Sequence, residues 1–187
     1  DVTWDGDTDV NWSTTDNWDT GALPTGSDRA IFPSAFTTNL PTLDSNQSIQ
    51  SMRFEKLDGG WTLGGAGQTL TINPADSGAL EDVFIEDLAT SGTTTIEATV
   101  KTGGFGPFSM ITNGGTLVFE SFEWSNPAQD LSPDGPGKVV IEEFTNDPFG
   151  RMDLQGTGTL ELPNPTENTG TVTLAGLKLI IGDSGSL

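Results

Sequence analysis

The chain contains no cysteine, no histidine and no tyrosine, and it has only 7 lysine and arginine residues against 27 aspartates and glutamates. Each shortage closes a class of chemistry. Without cysteine there is no zinc–thiolate site, no cysteine nucleophile and no dithiol redox motif. Exported proteins can lack disulfides, so the cysteine count leaves the compartment open. Without histidine there is no Ser-His-Asp triad, no imidazole acid–base catalysis and no histidine-held metal. A net charge of −20 disfavours nucleic acid, whose binding relies on Lys and Arg displacing counterions. It disfavours anionic membranes for the same reason. No apolar run is long enough to span a bilayer, so membrane insertion is not expected. The partners left are cations, neutral glycans such as those of a cell surface, and proteins, including another copy of the chain.

What is present points to many short strands. The hydrophobic fraction is 33%, with 24 glycines and 11 prolines in 187 residues. Gly and Pro punctuate turns, and the plentiful threonine suits strands. The chain opens on Asp1 rather than methionine, which fits a mature form whose signal peptide has been removed or a piece of a longer protein. Residues 1–44 form a Trp-rich cap segment carrying Trp4, Trp12 and Trp18. Residues 45–187 form a strand-repeat region, in which runs such as 48–54, 68–72, 82–86, 93–100, 115–120, 138–144, 158–162 and 177–182 alternate apolar and polar residues. No stretch carries a sustained helical period.

One pattern recurs. A glycine turn leads into Thr-Leu or Lys-Leu at 60–63, 67–70, 114–117 and 176–179, with looser copies at 157–160 and 171–174. Each copy reads as a turn feeding a strand whose leucine points inward. Weakly self-similar strand units of this kind are the mark of a β-solenoid. The alternative is a β-sandwich, which also begins strands this way.

Few residues qualify as chemical sites. Asp5, Asp7 and Asp9 alternate, and hard oxygen ligands at that spacing suit Ca²⁺, so these three are the candidate metal ligands and calcium the candidate cofactor. The bland reading of the same residues is a solvated acidic turn between Trp4 and Trp12. Trp4, Trp12 and Trp18 read as a cover for the open end of a solenoid rather than as a sugar platform. Glycosidase chemistry needs two facing carboxylates; Glu81, Asp82, Glu86, Asp87, Glu142 and Glu143 are the candidates. Neighbouring acids on one strand point to opposite faces, which leaves one of each pair in solvent. No catalytic residue is assigned, and the chain is read as a non-enzyme. Trp124, Phe119 and Phe122 on an exposed strand face would make a carbohydrate-binding module. The last apolar run, at 177–181, has no closing segment after it, and an open edge of that kind invites end-to-end pairing with another copy.

The N-terminal run also resembles a known family. Trp4, Gly6, Asp9, Asn11, Trp12, Ser13, Asn17, Trp18, Pro24, Gly26, Asp28, Ile31 and Phe32 look like the opening of autotransporter-associated β-strand repeat proteins, and 48–54 and 61–72 look like that family's first rungs. The resemblance covers residues 1–72 and continues beyond only as texture. It implies a right-handed parallel β-helix in an exported bacterial surface protein, with a structural or adhesive role and no catalytic residues. The stretches at 81–88, 119–137 and 142–150 are bulkier and more acidic than that family's repeats, so a regular coil is expected least there.

Overall fold

The computed structural model describes residues 1–35, 37–73, 83–103, 108–124, 130–146, 152–165 and 172–182. Nearly all of the regular structure is strand; the helical content among the described residues is a single 3₁₀ turn, Thr15–Asn17. The strands fall into two parallel sheets. One takes, in order, Val2–Thr3, Arg29–Phe32, Ser51–Phe54, Val83–Asp87, Phe108–Thr112, Asp130–Asp134, Met152–Gln155 and Val172–Ala175. The other takes Gln47–Ile49, Thr69–Ile72, Thr93–Thr102, Thr116–Trp124, Lys138–Asn146, Thr159–Leu162 and Lys178–Ile181. From Arg29 onward the chain alternates between the two sheets, with two short strands added to the second sheet: Thr62–Leu63, beside Thr93–Thr102, and Asn164–Pro165, beside Lys138–Asn146. This is a parallel β-solenoid, not the antiparallel sandwich held as its alternative.

Local sequence explains the strands. Thr93–Thr102 turns Thr94, Ile96, Ala98, Val100 and Thr102 inward and the intervening residues outward, which is the period-2 alternation of a half-buried strand. Parallel pairing then stacks equivalent residues. Ile96, Phe119 and Ile141 form one inward column, and Leu117, Val139, Leu160 and Leu179 form another. Phe122 stacks on Phe144 at 6.3 Å between ring centres, and Phe84 on Phe108 at 5.3 Å. Each fully buried side chain of this size contributes about 1.5–3 kcal/mol, and the columns form one continuous core.

The recurrent leucines point inward as expected. Leu63, Leu70, Leu117 and Leu160 have no exposed surface, and Leu179 packs partly buried against the same core. The acidic stretches also follow the coil: Val83–Asp87, Thr116–Trp124, Asp130–Asp134 and Lys138–Asn146 all pair in parallel. Residues 48–54 differ from the reading of one continuous strand. The chain turns at Gln50, so Gln47–Ile49 belongs to one sheet and Ser51–Phe54 to the other. Ser51 and Met52 are both buried, a break in alternation that marks the corner.

The corners set the tightest steric demand. Gly135 has φ +94°, and a Cβ there would lie 2.1 Å from the carbonyl oxygen of Thr112 in the preceding rung. Only glycine allows that backbone conformation and that approach together. Gly21 also has positive φ, at +65°, but an added Cβ would meet nothing within 4 Å. Gly135→Ala should therefore cost about 3 kcal/mol or more, and Gly21→Ala only about 1 kcal/mol of backbone strain. Urea melts of the two variants check this; equal losses would refute the corner argument.

One carboxyl is carried inside the coil. Asp87 is fully buried between Phe54 and Thr112 in its strand register. Its Oδ1 accepts the Ala89 backbone N–H at 3.1 Å, while its Oδ2 and the nearby buried Thr94 hydroxyl have no well-formed partner. Burial pushes its pKa up; the Ala89 N–H and the Thr94 hydroxyl oppose this without cancelling it. A carboxyl whose folded pKa is raised favours the fold while protonated. That contribution is lost as pH rises from its unfolded value through its folded one. Asp87→Asn keeps the acceptor and removes the charge. It should raise stability by about 1–2 kcal/mol at neutral pH and change little under acid conditions; thermal melts across pH would show an inverse or pH-independent effect if this is wrong.

Candidate functional site

Among the described residues, the N-terminal segment holds a dense polar and aromatic cluster, and its geometry is that of a closure. Trp4 and Trp12 are fully buried and Trp18 is 2% exposed. Trp12 meets Trp18 edge-on at 4.7 Å, Trp18 meets Trp4 at 5.1 Å, and Trp12 lies 6.1 Å from Phe32 at the first full rung. Trp4 donates its ring N–H to Asn39 O at 2.9 Å and Thr37 Oγ1 at 3.1 Å, and Trp18 donates to Trp12 O at 2.9 Å. The Trp4–Trp18 backbone bridge is antiparallel, against the parallel pairing of the coil. The rings face the core and offer no face to a sugar.

Asn17, one of the residues that carry the family resemblance but given no role by the sequence, ties the segment together. It is fully buried. Its Oδ1 accepts the backbone N–H groups of Thr8 and Asp9 at 2.9 and 3.1 Å, and its Nδ2 donates to Asp9 Oδ1 at 2.8 Å and Asn11 O at 2.9 Å. Its own carbonyl accepts from Asp5 and Gly6. A buried amide that uses both ends in this way fixes the loop around it.

The three aspartates of the candidate metal site have separate fates: Asp7 is exposed, while Asp5 and Asp9 are half-buried in different surroundings. Asp9 accepts from the Asn11 backbone N–H at 2.7 Å, the Asn11 amide at 3.1 Å, the Thr14 hydroxyl at 3.0 Å and Asn17. The Asn11 N–H, followed by these side-chain donors, holds its pKa below the usual carboxylate range. Asp5 is pushed up, first by burial and then by the charges of Asp19 and Asp7. Among the described residues, no group of three or more acidic side chains is arranged to hold a metal ion.

The other candidates are dispersed. Trp124, Phe119 and Phe122 are fully buried in the core: Phe122 stacks on Phe144 and meets Phe119 edge-on, and Trp124 meets Phe108 edge-on. The exposed aromatic face expected of these residues is not there: all three point inward, Phe119 and Phe122 together because the strand is irregular between Phe119 and Ser121. Glu86 and Asp87 do point to opposite faces: Glu86 lies outward, 3.4 Å from Arg53, and Asp87 inward. Glu142 and Glu143 instead both face outward, between the inward Ile141 and Phe144. They lie on the opposite sheet from Glu86, so these acids do not converge on one substrate. Glu81 and Asp82 fall outside the described residues.

Asn17→Ala would strand the Thr8 and Asp9 N–H groups and release Asp9. It should lower stability by about 2–4 kcal/mol, by the same amount with Ca²⁺ as with a chelator. A loss confined to Ca²⁺-loaded protein would instead make the segment a metal site.

No family model, no curated protein and no solved structure matches this chain.

Proposed function

We propose that this chain is an exported structural or adhesive protein of a cell surface, a rigid solenoid element that assembles end to end with further copies. The observation that carries this reading is where the recognition-capable side chains are used. The five tryptophans include four with no more than 1% exposure and a fifth at 2%. Asn17 and Asp9 bind each other, and Asp28 closes its own turn on Thr25. The outward columns are mixed and in register from rung to rung: Thr93, Thr116, Lys138, Thr159 and Lys178 form one, and Thr95, Val118, Val140, Glu161 and Ile180 another. Such a coil supplies length, stiffness and surface. The parallel solenoid is compatible with the resemblance of residues 1–72 to autotransporter-associated repeats, and that resemblance supports export and an adhesive or structural role.

End-to-end assembly draws on the last strand described, Lys178–Ile181. Leu179 and Ile181 continue the inward columns of Leu160 and Leu162, yet both are only partly buried. A parallel edge with uncovered apolar columns accepts a further strand. Pairing of this sort is heterologous and builds a fibre. Purified protein should sediment as species that grow with concentration and with ionic strength, and electron micrographs should show linear particles. Ile181→Glu, an inward charge at the edge, should leave a folded monomer. A wild-type monomer under all these conditions would overturn the assembly; binding on a glycan array by that monomer would favour a carbohydrate-binding module instead.

A further inference from the structure

The chain has four places where an aspartate or asparagine precedes glycine: Asp5–Gly6, Asp58–Gly59, Asn113–Gly114 and Asp134–Gly135. At such pairs the glycine nitrogen can attack the preceding side-chain carbonyl, provided both groups are free. The solenoid leaves one pair free. Gly6 N–H donates to Asn17 O at 3.3 Å, Gly59 N–H to Lys56 O at 3.1 Å, and Gly135 N–H to Thr157 Oγ1 at 3.3 Å. Gly114 N–H has no acceptor among the described residues, although its neighbours on both sides do. Asn113 N–H bonds Asp87 O at 3.1 Å, and Gly115 N–H bonds Ala89 O at 2.7 Å.

The freedom of the Asn113 side chain follows from the next rung. Gly135 sits over the Thr112 carbonyl as Gly156 sits over the Pro133 carbonyl, with an added Cβ meeting those oxygens at 2.1 and 2.3 Å. The residues that follow are therefore equivalent pairs: Asp134 lies below Thr157, and Asn113 lies below Pro136. Thr157 donates its backbone N–H and its hydroxyl to Asp134 Oδ1, at 3.0 and 3.2 Å. Pro136 has neither group to give. Asn113 is accordingly exposed, and its amide has no partner among the described residues.

We infer that Asn113–Gly114 is a site of spontaneous deamidation and isoaspartate formation, with water as the co-reactant. Gly114 N gives up its proton to solvent base and forms a bond to Asn113 Cγ; the Cγ–Nδ2 bond breaks, and ammonia leaves with a proton returned from water. Water then opens the succinimide at either carbonyl. The net change is asparagine plus water to aspartate or isoaspartate plus ammonia, with no change of oxidation state. The aspartate product recreates the Asp-Gly corner already present at 134–135. The isoaspartate product lengthens the main chain by one carbon, between Asn113 N–H and Gly115 N–H, which both bond to the preceding rung.

The test is peptide mapping of the full folded chain after prolonged incubation at mildly acidic and mildly alkaline pH. The tryptic peptide spanning residues 102–138 should gain the mass of an amide-to-acid exchange, faster at the higher pH, and become a substrate for an isoaspartyl methyltransferase. Asn113→Ser should abolish both signals. Fragmentation should place the change at 113, with residues 5, 58 and 134 unaltered. The proposal fails if this peptide stays intact in folded protein while urea-unfolded protein converts. It fails equally if isoaspartate accumulates at Asp58 or Asp134 as fast as at Asn113.

Discussion

The structure depends on a single constraint: each rung must deliver its backbone N–H groups to the carbonyls of the rung before it. Within strands this is automatic, because parallel pairing repeats the same hydrogen bonds along the coil. At corners it is not. There the chain must reverse between two sheets while staying in register with the corner beneath. Gly115 N–H reaches Ala89 O at 2.7 Å, Lys138 N–H reaches Gly115 O at 3.0 Å, and Lys178 N–H reaches Gly158 O at 3.0 Å. Contacts this close between successive corners leave no room for side chains, which is why the turn positions are glycine-rich and the strands between them are free to vary.

That division of labour decides what could be read from sequence. The corner pattern was legible because its demand is local: glycine before Thr-Leu announces both the turn and the first inward residue. The parallel pairing was legible only through the recurrence of that unit. The break at Gln50 was hidden, because Ser-Ile-Gln-Ser-Met-Arg-Phe alternates well enough to pass as one strand and only the partner rungs separate its halves. The outward pairing of Glu142 with Glu143 was hidden for a related reason. The neighbouring strand Thr116–Trp124 shifts register between Phe119 and Ser121, leaving Glu120 and Ser121 both outward, and the next strand copies that bend. Errors of this kind propagate from rung to rung, so local alternation cannot reveal them.

Polar residues inside the coil were the least legible, since their role is defined by partners far away in sequence or by the lack of them. Asn17 and Asp87 are both fully buried. Asn17 satisfies four groups in one loop and carries no charge, so its burial favours a single arrangement of the cap. Asp87 caps its own turn through Ala89 but brings a second oxygen that nothing well placed satisfies. The same two letters, Asn and Asp, thus stabilise or strain the fold according to whether the surrounding backbone offers donors in sufficient number. Asp9 and Asp5 divide by the same rule: Asp9 has its donors, while Asp5 is pushed up first by burial and then by the charges of Asp19 and Asp7.

The high negative charge fits the same rung-to-rung logic. Parallel stacking places outward residues of successive rungs about 4.8 Å apart, so a like-charged column repels along its whole length. Asp130 pairs with Asp153 in the backbone register, and the Asp130 carboxylate accepts from the Gln155 amide at 2.7 Å. The scarce cations sit where they relieve such contacts. Arg53 reaches Glu86, Lys101 reaches Glu123 and Lys138 reaches Glu161, each an acid on the following rung, and Arg29 bonds Ser51 of the following rung. Exposed pairs of this type contribute at most about 1 kcal/mol each, too little to hold the coil but enough to set register between strands whose Thr and Ser faces would tolerate a slip. The remaining acids are unbalanced and leave the protein strongly negative, a field that salt screens. Within the described coil, burial therefore acts along the axis, through the stacked apolar columns, while the unbalanced charge acts across the flanks.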